Sequence, residues 1–144
     1  MKKRIRVVMK GYLKFKNLHL ILSILIVAPV ALIYGLFQEQ VLPMFFDFHV
    51  ETTDLKNVFR AIMFLYLGMV LIWIQGILKP ELWETATLVN IVFMVGLGLG
   101  RLLSLLLDGI PSPPFAIGLI GELALAFLGF YQFKKAAQNT HFIK

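Results

Sequence analysis

Four long apolar runs, separated by short polar breaks, set the plan of this chain. They extend from about Leu18 to Phe37, Val58 to Leu78, Thr85 to Leu107 and Phe115 to Phe133. Each is long enough, at roughly 20 residues of helix, to cross a hydrocarbon core of about 30 Å. Lipid cannot satisfy open backbone N–H and C=O groups, so each run is predicted to be helical. The breaks have distinct chemistry. Gln38-Glu39-Gln40 closes the first run, and Thr53-Asp54 offers an N-cap for the second. Lys79-Pro80-Glu81 stops the second run and opens the third, because proline has no donor for a helix interior but suits a first turn. Asp108 to Pro114, with three prolines and a glycine, ends the third run sharply. Pro29 lies inside the first run, where a kink is expected.

Composition points to the same solvent. Of 144 residues, 59% are hydrophobic and 15% charged, and the mean hydropathy is +0.83. A domain this small has too much surface for its volume to hide so much apolar area from water. The absence of cysteine excludes disulfides, thiolate metal sites and thiol redox chemistry. The three histidines, His19, His49 and His141, are widely separated and taken to lie outside the apolar spans, which argues against paired haem ligation.

The net charge of +6 is unevenly placed. Seven of the fourteen basic residues (Lys2, Lys3, Arg4, Arg6, Lys10, Lys14 and Lys16) precede the first span. This pattern fits a membrane-surface anchor on anionic headgroups rather than a nucleic-acid site. Arg6, Lys10 and Lys14 would form one basic face of an interfacial helix. The chain then divides into a basic arm (1–17), a four-helix transmembrane domain (18–133) and a tail (134–144). The first span is long for a signal peptide and is expected to be a retained anchor. The loop from Gln38 to Thr53 has no Lys or Arg, whereas Lys79, Lys134, Lys135 and Lys144 fall on the side of the arm. The positive-inside rule therefore places both termini in the cytoplasm. The apolar 38–53 loop should lie back on the bundle or its interface. Within it, Asp47, His49 and Glu51 could share an extended face and hold a metal. Solvated positions alternating with buried Phe46, Phe48 and Val50 explain the same pattern, and no metal or cofactor is assigned.

Ionisable side chains inside spans are costly and normally face the bundle interior. Arg60, Arg101 and Glu122 all fall roughly 9–12 Å below the same ends of their helices, at 1.5 Å per residue. With Asp54, Asn57, Ser104 and Asp108 they form an expected polar cluster in the outer leaflet, Glu122 pairing with Arg101 or Arg60. The first span is expected to contribute no ionisable group and to serve as the anchor. Gly96 and Gly100 on the third helix, and Gly118 and Ala126 on the fourth, suggest close packing between those two helices, expected to be the tightest contact in the bundle. The cluster admits two readings: an ion-pair network that sets helix register, or a site for an anionic or polar headgroup.

The segment Thr53 to Met63, followed by Leu65-Tyr66-Leu67-Gly68, resembles a motif of an uncharacterised bacterial family of small four-helix membrane proteins, a domain of unknown function. Gly100-Arg101-Leu102-Leu103-Ser104 with Asp108-Gly109 and Pro111-Ser112 resembles its second motif, and Glu122-Leu123 its third. Phe64 stands where that pattern has glycine. The resemblance implies a four-helix membrane fold and no known activity, with the polar cluster as the family's shared feature; the expected location is the bacterial inner membrane. The layout is more distantly similar to DoxX-like proteins, an analogy of fold alone. No paired-histidine motif, nucleophile elbow or phosphate loop is present, which favours a non-enzymatic protein that binds a lipid or amphiphile, or acts as a scaffold. A transporter subunit working as an oligomer and a membrane enzyme are the alternatives; a homo-oligomeric or membrane-protein partner is left open.

Overall fold

A computed structural model of the chain describes residues 15–141. Residues 1–14 of the basic arm, with Arg6, Lys10 and Lys14, lie outside the described residues. Five α-helices follow in order: α1 (Leu18–Leu36), α2 (Gln38–Phe45), α3 (Thr53–Leu78), α4 (Trp83–Leu107) and α5 (Pro113–His141). All but α2 are long and apolar enough to cross a membrane. The fold is an all-α four-helix bundle without strands among the described residues.

Local chemistry sets the helix ends. Thr52, one residue before the expected cap, is the N-cap of α3, and its hydroxyl accepts from the Leu55 N–H at 3.2 Å. As a result α3 starts at Thr53, ahead of the apolar run. Pro80 opens a single 3-10 turn, Pro80–Leu82, that reverses the chain directly into α4. Gly109 adopts φ +97° after α4, a backbone region that side-chain-bearing residues rarely enter. Of the prolines that follow it, Pro113 and Pro114 start α5. Helix α1 continues unbroken through Pro29.

The surface is apolar. Leu106 is 80% exposed, Leu107 73% and Phe127 72%, and a helical surface of this kind is stable only where lipid replaces water. The interior is small and concentrated around Leu20, Trp73, Trp83, Ala86 and Met94. Two helix pairs make up the bundle: α1 packs extensively on α3, and α4 on α5. The contact between α4 and α5, expected to be the tightest, is matched in extent by that of α1 against α3. Gly35 permits that approach, lying directly against Met63. A shorter α3–α4 contact joins the pairs, while α1 and α5 meet over only a small area.

On α4 the glycine that packs against α5 is Gly98, not Gly96 or Gly100. A Cβ on Gly98 would lie 3.0 Å from Leu123 Cδ2, whereas Cβ atoms on Gly96 or Gly100 would meet nothing. The cause is periodicity: at 3.6 residues per turn the buried face of α4 runs through Asn90, Met94 and Gly98, and positions 96 and 100 fall on the opposite side. Gly118 packs against the Arg101 guanidinium, and Ala126 is buried.

At the end of the bundle where α1 begins and α4 begins, a buried polar layer ties the two pairs together. His19 Nε2 lies 3.1 Å from Thr87 Oγ1, and Asn90 Nδ2 donates to Ser23 Oγ at 2.9 Å. All four side chains are fully buried. Two sequence expectations change: His19 lies inside the first span, and α1, although largely outward-facing, contributes buried polar side chains to the bundle. Both follow from spacing, since His19 and Ser23 lie four apart on α1 and Thr87 and Asn90 three apart on α4, so each pair shares a face.

Candidate functional site

At the opposite end the weak α1–α5 contact leaves a gap. There a cavity of about 360 Å³ opens between α1, α4 and α5. Ile26, Val30 and Ile33 of α1 form one wall, and Phe115, Ile117 and Leu125 of α5 the other. The short helix α2, unforeseen as a helix, forms a lid through Val41, Leu42 and Phe45. Its placement meets the expectation that the 38–53 loop folds back: Leu42 and Val50 are buried, at 1% and 2% exposed. Lys56 Nζ holds the lid by an ion pair to Glu39 Oε1 at 3.0 Å. Aromatic contacts continue from the lid into the bundle, with centroid distances of 4.4 Å for the tilted Phe46–Phe115 pair, 6.0 Å for the stacked Phe48–Phe59 pair and 5.4 Å for the edge-to-face Phe59–Tyr34 pair.

Arg101 and Glu122 are the charged residues in this apolar lining. Arg101 Nε donates to both carboxylate oxygens of Glu122, at 2.8 and 2.9 Å. The guanidinium carbon also lies 5.0 Å from the Phe115 ring centroid, a distance at which the ring's quadrupole attracts a cation. The geometry commits one N–H of the guanidinium to Glu122 and directs the terminal nitrogens elsewhere. The Tyr34 phenol is within their electrostatic reach, and Tyr66 lies beside Tyr34 with ring centroids 6.1 Å apart.

The other expected cluster members do not join this pair. Arg60, Asn57 and Asp54 are exposed on α3, and Arg60 makes no ion pair among the described residues. Depth along the helices was matched, but direction around α3 was not: its buried face runs through Met63, Val70 and Trp73. Ser104 donates to Asp108 Oδ2 at 2.7 Å on the exposed end of α4. Asp47, His49 and Glu51 are exposed while Val50 is buried, so the loop follows the alternating pattern. The described residues contain no group of three His, Asp or Glu side chains placed to hold a metal.

Sequence reasoning missed Tyr34, Tyr66 and the contribution of α1. The missing signal was on α4, where Thr87, Asn90, Met94, Gly98 and Arg101 recur every three or four residues and mark one inward face.

Four membrane-length helices around a lidded cavity and an intramembrane ion pair define a multi-pass, all-α membrane protein. Residues 15–133 match the family model described as Domain of unknown function (DUF4345), and the chain belongs to that family. Neither the curated proteins nor the solved structures contain a match.

Proposed function

We propose that this protein binds an amphiphile in the slot between α1 and α5, with the polar end at Arg101 and the chain against the apolar walls. The carrying observation is the cavity itself: walls of Ile, Val, Leu and Phe with one ion pair set into them. Small-molecule sites combine an apolar lining with a few oriented polar groups in this way, at volumes of roughly 300–1,000 Å³. Ile26 and Ile117, on either side of the mouth, are 51% and 69% exposed, so a ligand can enter sideways from lipid. The lining ends at Val27, Met94 and Leu125, and Ser23 and Asn90 below it are not part of it. A blind slot of this shape supports binding rather than conduction.

Loop charge supports placing the lid in the outer leaflet of the bacterial inner membrane and both termini in the cytoplasm, where Lys16, Lys79 and Lys134 would meet anionic headgroups.

Gly121 supplies the test. It lines the cavity, and a Cβ there would meet nothing within 4 Å. Gly121→Leu should therefore fill the slot without disturbing the helix contacts. Native mass spectrometry of the protein after exposure to a total lipid extract should show adducts on the wild type that Gly121→Leu loses. Adducts of equal abundance on both proteins would refute binding in this cavity.

A further inference from the structure

We infer that the slot selects amphiphiles with an uncharged, hydrogen-bond-accepting head over those with an anionic head, an inference that rests on the amphiphile reading above. It follows from counting donors and charges. Both Glu122 oxygens are engaged by Arg101 Nε. The polar groups left to face an entering head are the guanidinium's terminal N–H groups, which reach the Tyr34 phenol, and the phenols of Tyr34 and Tyr66 in the lining; the guanidinium can only donate, and each phenol can donate. A head seated on the guanidinium must therefore accept.

Charge then narrows the class. Arg101 and Glu122 are the charged groups in the lining and sum to zero. The nearest other charges are turned outward: Asp108 is exposed and bonded to Ser104, Lys56 is paired with Glu39, and Arg60 is exposed on α3. A carboxylate or phosphate brought to Arg101 would leave two anions sharing one cation in an apolar wall, and an uncompensated charge is what such a site tolerates least. An ester or ketone oxygen takes the same N–H groups and leaves the sum at zero. The cavity volume of about 360 Å³ lies at the small end of ligand sites, which favours one apolar chain over two.

The probes are a medium-chain fatty acid, held ionised at alkaline pH, and its methyl ester. They share chain and carbonyl and differ in charge. Purified full-length protein in detergent is offered both at equal concentration, and adducts are read by native mass spectrometry. The wild type should favour the ester by on the order of tenfold, a modest share of what an unpaired buried charge costs. Glu122→Gln leaves Arg101 unneutralised and should reverse the preference. The double variant Arg101→Gln/Glu122→Gln, neutral again, should return to the ester. Equal binding, or preference for the acid by the wild type, overturns the inference while leaving the amphiphile reading standing. Adducts of neither probe overturn that reading and the inference with it. The wild-type ratio decides the matter even if a variant does not fold.

Discussion

The Arg101–Glu122 pair should contribute a measurable share of the bundle's stability, and its size can be worked from the geometry. The perturbation is the set Arg101→Gln, Glu122→Gln and the double variant. With charge centres about 4 Å apart and an effective dielectric of about 20, Coulomb's law gives about 4 kcal/mol. That is an upper bound. The side chains retain 23% and 11% of their exposure, so lipid headgroups and water screen part of the attraction. Each glutamine also keeps one neutral hydrogen bond, worth about 1 kcal/mol, while the Phe115 ring continues to hold a lone guanidinium. A coupling of about 2 kcal/mol is what remains. Each single variant should lose about 2–3 kcal/mol, because it strands a partly buried charge, and the double variant should lose less than the two together. Reversible unfolding in mixed micelles, or steric trapping in bicelles, measures all four proteins. A coupling below about 0.5 kcal/mol would refute the view that this pair joins α4 to α5.

Three further outcomes are expected. Gly98→Leu should destabilise the bundle by about 1–3 kcal/mol through overpacking against Leu123, whereas Gly96→Leu, on the open face, should be neutral or slightly stabilising in the same unfolding assay. Lys16 has its pKa lowered by burial, with Glu84 opposing the shift; the unfolded chain therefore binds more protons between the lowered value and the free-lysine value of 10.5, so stability should rise with pH through that window, and Lys16→Met should remove that slope. Because the chain has no cysteine, Asp47→Cys and Gln138→Cys give clean single labels: an impermeant maleimide should reach position 47 on intact spheroplasts and position 138 only after lysis, and the opposite pattern would overturn the proposed orientation.

Sequence and structure divide the account of this protein at a clear point. Hydropathy determined the four spans, because the energetic demand for ~20 apolar helical residues per crossing is met one segment at a time. The turn chemistry of Lys79-Pro80-Glu81 and of Asp108-Gly109 was legible for the same reason, as local backbone constraint. The pairing of Arg101 with Glu122 was legible as one of two options, since depth along a helix follows from counting residues. What required the tertiary structure was direction around each helix axis and the arrangement of helices as pairs. An apolar span packs and meets lipid with the same residue types, so composition does not say that Gly98 faces Leu123 while Gly96 faces outward, or that Arg60 turns away from the pair. Nor does it show that α1, apolar through most of its length, brings His19 and Ser23 to a buried polar layer and Tyr34 to the cavity. The cavity exists because α1 and α5 stay apart at one end while hydrogen bonds between α1 and α4 hold the pairs together at the other. That relation among helices distant in sequence is a property of packing, which no local pattern encodes.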